Sequence, residues 1–124
     1  MKITSFNPLI LTKDAEAAIA LFEALGFERR HRKASLHGEN ITDVRLKDAN
    51  GFHVDVMQMD DLSQNMTAIR MNVDDFGEAY NALTACGFKN AQGNKLTGTG
   101  SSYGALMVSP SGFGIYLIKH VKQE

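Results

Sequence analysis

The sequence predicts an α+β fold built from two successive β-α-β-β-β modules, and three observations carry that prediction. "EALGFE" closes at Glu28 and "TACGFK" at Lys89, which sets Gly26 and Gly87 61 positions apart. "NGFHVDVMQ", from Asn50, and "SGFGIYLIK", from Ser111, keep the same spacing. The order of strand-like and helix-like patterns is also the same in both halves. With that offset, Asp14 falls on Asp75, Ala18 on Ala79, Ala24 on Ala85, Gly51 on Gly112 and Phe52 on Phe113. The chain reads as one domain, 1–124, of two modules, about 1–61 and 62–124, joined by the polar stretch "DDLSQNM".

In the first module "FNPLILT" is a short apolar strand. "DAEAAIALFEAL" follows, with Ala15, Ala18, Ile19, Phe22 and Leu25 on one helical stripe. Thr12 or Asp14 caps its start and Gly26 its end. "FERRHRKAS", "ITDVRLKD" and "FHVDVMQM" have strand patterns, the last two turned into a hairpin by "ANG". The second module repeats the order with "TAIRMNV", the helix "DFGEAYNALTAC", a strand near "FKNAQ", then "YGALMVS" and "FGIYLIKH". "GNKLTGTGSSYG" lacks the following helix that a phosphate-cradling loop needs, so it is read as a flexible hairpin connection or lid.

Composition narrows the function classes. Hydrophobic residues make up 44% and charged residues 22%, values of a globular chain with a core. Thirteen Lys and Arg against fourteen Asp and Glu leave a net charge of −1, so no global field draws nucleic acid or an anionic membrane. The one dense basic run, "ERRHRK", lacks aromatic companions and fits a strand whose charges block edge pairing. No segment approaches membrane-spanning length and "MKITSFNPLIL" lacks a cleavage site, which predicts a soluble, cytoplasmic protein. The single cysteine, Cys86, makes no internal disulfide and is expected as a small buried filler.

"LTKDAEAAIALFEALGFE", "DANGFHVDV" and "SPSGFGIYL", set in a tandem β-α-β-β-β frame, resemble the vicinal oxygen chelate superfamily of glyoxalase I, extradiol dioxygenases and bleomycin-resistance proteins. The resemblance implies a glyoxalase/bleomycin-resistance-like mixed sheet curled into a cup, and a homodimer. It also implies metal ligands, usually His and Glu, on the first and last strand of each module. Those positions here are Asn7, Asp55, Ala68 and Tyr116. One good ligand, a weak one, an uncommon one and a residue with no donor do not make a divalent site, so no metal and no cofactor are expected.

His53 and Asp55 stand two apart on one strand and share a face, with Cα atoms roughly 6.5 Å apart. Alternation then turns Phe52, Val54 and Val56 toward the helix, and His53, Asp55, Met57 and Met59 toward the cup. Asn7, Leu9 and Leu11, then Ala68, Arg70 and Asn72, join the cup, with Gly114, Tyr116 and Ile118 and with Tyr103, Ala105 and Met107. The expected ligand-binding residues are Asn7, His53, Asp55, Met57, Arg70, Tyr103, Met107 and Tyr116. Apolar walls with sparse polar anchors suit a small organic ligand. Arg70 is suited to gripping a carboxylate or phosphate, or to pairing with Asp55. His53 is a candidate general base or a hydrogen-bonded wall residue. The function expected is metal-independent binding of a small organic molecule. The alternatives are a divalent-metal lyase or dioxygenase using His53 and Asp55, and a protein-interaction module.

Overall fold

An aspartate opens each helix and a glycine follows its end. The computed structural model describes residues 1–33, 43–60, 64–98 and 102–120. Helix α1 spans Ala15–Ala24, and its cap Asp14 accepts from the Ala17 N–H at 3.1 Å. Helix α2 spans Phe76–Ala85, and its cap Asp75 accepts from the Glu78 N–H at 3.0 Å. Each carboxylate satisfies an amide that the first turn leaves without a partner. Gly26 at φ 100° and Gly87 at φ 93° take the chain out in the left-handed region, where a Cβ is penalised. Thr12, the other candidate cap, accepts from the Asp14 N–H at 3.0 Å.

Residues 7–67 form one compact unit. Its strands are β1 (Ile3–Thr12, from Asn7 on), β2 (Glu28–Lys33), β3 (Asp43–Lys47) and β4 (His53–Gln58). They lie in the order β2-β3-β4-β1, antiparallel except for the parallel pair β4 and β1. The hairpin turn is held by Asp48, whose carboxylate accepts from the N–H of Asn50 at 3.0 Å and of Phe52 at 2.9 Å. That turn fixes the register, which sets Lys47 across from His53 and Arg45 across from Asp55. Val44, Leu46, Val54 and Val56 then share the face that packs on Ala15 and Ile19 of α1. Each such buried aliphatic side chain contributes about 1.5–3 kcal/mol. Phe52 was expected on this face but is 69% exposed, because β4 begins one residue later and the ring belongs to the turn.

Residues 1–6 and those from Ala68 on form the other unit. Its strands are β5 (Met66–Val73, from Ala68 on), β6 (Lys89–Asn90), β7 (Thr97–Gly98), β8 (Ser102–Val108) and β9 (Gly114–His120). The order is β6-β8-β9-β5, with β7 also pairing β8. The Lys2 N–H donates to Asp74 Oδ1 at 2.6 Å, and the Asp74 N–H donates to the Lys2 carbonyl at 3.0 Å. Met71, Val73, Ala105, Met107 and Leu117 pack on Phe76 and Ala79 of α2.

The register of the second unit copies the first with the 61-residue offset. Leu9 pairs with Asp55 as Arg70 pairs with Tyr116, and Arg45 faces Asp55 as Leu106 faces Tyr116. The expected hairpin connection after Gly93 contains the two-residue strand β7, and its residues 99–101 lie outside the described residues. So do the expected strand ends at 34–35 and 41–42 and linker residues 61–63. Cys86, expected to be buried, is exposed at the end of α2, where the helix turns its last residues to solvent. No helix among the described residues is long and apolar enough to cross a membrane.

Candidate functional site

On the face of the first unit opposite α1, Asp55 is held from two sides. The Arg45 guanidinium donates through Nε to Oδ1 at 2.8 Å and through a terminal nitrogen to Oδ2 at 3.0 Å. This two-point geometry is the strongest form of carboxylate recognition. The Asn7 amide nitrogen also donates to Oδ2, at 3.1 Å, and to the Pro8 carbonyl at 2.9 Å. With its nitrogen so engaged, the buried Asn7 Oδ1 has no hydrogen-bond partner. Asp55 is 1% exposed, whereas the Arg45 side chain is 37% exposed. The hydrogen bond to Asp55 raises the Arg45 pKa against the opposing effect of burial, with further support from the Asp55 and Asp43 charges. A buried carboxylate needs such a partner, since an ion without one costs several kcal/mol.

On the equivalent face of the second unit the same positions carry a ring and a leucine. Tyr116 is buried across from Leu106 and beside Arg70. Gly104 leaves room for the Leu117 carbonyl and for that ring. A Cβ there would stand 3.0 Å from Tyr116 Cε1, 3.0 Å from Ile118 Cγ1 and 2.6 Å from the Leu117 carbonyl oxygen. Arg70 is 6% exposed and Asn72 is 8% exposed. Both point away from α2, since the intervening Met71 packs toward it. The buried Asn72 Oδ1 has no hydrogen-bond partner.

The structure thus groups Asn7, Asp55 and Met57 on the first unit, with half-buried His53 on the same face, and Arg70 with Tyr116 on the second. Tyr103 and Met107, expected on this face, do not line it. They face α2, where the Tyr103 ring meets Phe76 at 5.0 Å and Met107 lies in the helix-side core together with Ala105. "YGALMVS" is apolar on both faces, so alternation alone does not choose its phase; pairing with β9 chooses it, setting Ala105 across from Leu117 and Met107 across from Ile115.

Two residues of this site escaped the sequence reading, Arg45 and Leu106. Extending the 61-residue offset to β3 and β8 aligns them with each other and exposes both. The basic run of β2 also finds partners on its own unit: Arg29 reaches Glu16 and Glu23 of α1 at 3.4 Å, and its pKa is raised chiefly by the hydrogen bond to Glu23.

No family model matches the chain, and no curated protein sequence matches it. Solved structures do match. Methylmalonyl-CoA epimerase from Mycobacterium tuberculosis is similar with a TM-score of 0.65 at 17% identity, over 97% of this chain and 90% of that one. A glyoxalase I mutant from Zea mays is similar with a TM-score of 0.67 at 14% identity, over 98% of this chain and 45% of that one, so the chain spans about half of that protein. A glyoxalase/bleomycin resistance protein/dioxygenase superfamily member from Vibrio splendidus is similar with a TM-score of 0.57 at 15% identity, over 95% of this chain and 99% of that one. The class is therefore α+β with the glyoxalase/bleomycin-resistance fold. The fold is that of the vicinal oxygen chelate superfamily.

The positions at which the sequence resemblance implies metal ligands do not carry residues that fit a divalent cation. Ala68 has no donor atom, and Asn7 turns its amide nitrogen, not its oxygen, toward Asp55. Both Asp55 oxygens already face the Arg45 guanidinium, so a metal there would meet a resident positive charge. Among the described residues no group of three His, Cys, Asp or Glu side chains is arranged to hold a metal ion.

Proposed function

We propose that this protein binds a small organic molecule without a metal, on the sheet faces opposite the helices. The observation that carries the proposal is the capture of Asp55 by Arg45 and Asn7. The one strong ligand among the superfamily positions is neutralised by a cation of the chain itself. The surrounding faces are apolar, with Leu9, Leu11 and Met57 on one unit and Leu106 and Ile118 on the other. Sparse polar groups on apolar walls are the usual make-up of a small-molecule site. Asn7, His53, Asp55 and Met57 are the binding residues proposed on the first unit, Arg70 and Tyr116 on the second. The assembly proposed is a homodimer.

A native mass spectrum of the purified protein, recorded with and without nickel, zinc, manganese and iron, tests the reading. The expected spectrum is a dimer that takes up no stoichiometric metal and retains small organic molecules from a mixed library. Stoichiometric metal uptake would replace this reading with a divalent-metal lyase or dioxygenase. A retained polypeptide in place of a small molecule would make the chain a protein-interaction module.

A further inference from the structure

Asn72 is placed where a buried amide has a use only if something comes to meet it. It sits on β5, nine-tenths buried, on the face away from α2, and its Oδ1 has no hydrogen-bond partner. A leucine or valine would fill that strand position without leaving a polar atom unsatisfied, so the amide works against the stability of the ligand-free fold. Two residues earlier on the same face stands Arg70, also nine-tenths buried. Whatever else the guanidinium touches, its charge favours an anion on this face. Residues two apart on a strand have Cα atoms roughly 6.5 Å apart, a span that one short molecule covers.

We infer that the β5 face of the second unit is a subsite for a small organic anion carrying an O–H or N–H donor a few bonds from its carboxylate or phosphate. The anion meets Arg70 and the donor meets Asn72 Oδ1, while Tyr116 and Ile118, the register partners of these two residues on β9, border the span between them. This rests on the small-molecule reading above and deepens it by naming the ligand class.

The test uses three matched probes, 3-hydroxybutyrate, butyrate and 1,3-butanediol, titrated into the full-length protein and followed by NMR shift changes. The wild type is expected to bind 3-hydroxybutyrate about tenfold more tightly than butyrate, the worth of one net hydrogen bond. That preference should vanish in Asn72→Leu, while Arg70→Met loses binding of both anions. Asn72→Leu should also melt at a higher temperature than the wild type, and Asn72→Val serves if the leucine variant misfolds. Equal binding of the two anions by the wild type, an unchanged preference in Asn72→Leu, tighter binding of the diol, or no binding of any probe would overturn the inference. A lowered melting temperature in both Asn72 variants would also overturn it, by showing that the amide serves the fold. These results leave the broader reading standing as long as the mass spectrum shows a retained organic molecule; a spectrum retaining none sinks that reading separately.

Discussion

At one matched position the first module buries a carboxylate under a partly exposed arginine and the second buries a phenol ring. Asp55 and Tyr116 occupy the same place on the last strand, in the same register with both neighbouring strands. What differs is the company each one needs. Asp55 requires the Arg45 guanidinium opposite and the Asn7 amide alongside. Tyr116 requires an apolar Leu106 opposite and no side chain at Gly104, the counterpart of Asp43. The backbone frame fixes where a side chain points, and the chemistry of that point is settled by three or four neighbours changing together.

The sharpest way to break the comparison is to take away the cation. Arg45→Leu should destabilise the protein by about 1–3 kcal/mol in denaturant unfolding, because it strips a buried carboxylate of a two-point charged partner while the Asn7 bond remains. Converting the first module to the second's solution tests the same idea in reverse. Arg45→Leu with Asp55→Tyr should recover part of the loss, and adding Asp43→Gly should recover more, since the ring needs the space that Gly104 supplies in the second module. Failure of the glycine to help would mean that the two faces do not accommodate a ring alike.

Gly104→Ala is expected to cost about 1–3 kcal/mol, with a changed near-ultraviolet tyrosine signal as the Tyr116 ring shifts. The modules should respond alike where they are built alike. Asp14→Ala and Asp75→Ala should each cost about 1 kcal/mol, and a difference much larger than that would show that the two helix starts are not equivalent.

The smallest effect expected concerns Asp74, the counterpart of Lys13. The Lys2 N–H holds the Asp74 carboxyl below the ordinary carboxylate range. A carboxyl lowered on folding adds stability that is present above its unfolded value and lost as pH falls through the folded one. Asp74→Asn should therefore lower the melting temperature slightly near neutral pH and leave it unchanged in strong acid. An equal loss at both extremes would place the effect in packing rather than charge.

Much of the fold was legible because the chain states its plan twice. The Gly-Phe landmarks, the aspartate caps and the period-two alternation of "HVDVMQ" each have a local physical cause, and the caps, the hairpin turn at Asp48 and the face holding Asp55 and Met57 follow from them. Tyr103 and Met107 show where that logic stops. A strand that is apolar on both sides has no phase of its own. Phe52 shows the same limit at an element end, where one residue's difference in boundary moves a side chain from core to solvent, and Cys86, expected buried because free cysteines usually are, is exposed at the end of α2.

By itself the sequence determined the repeat, the two helices with their aspartate caps and the two alternating sets of residues on each main strand, because these depend on neighbours within a few positions. Only the tertiary structure decided that Arg45 closes on Asp55, that Gly104 yields to Tyr116 and that the Asn72 oxygen is buried without a partner. Those outcomes depend on strand register and on burial. Both are set by groups far apart in the chain whose energies count only after they have been brought together.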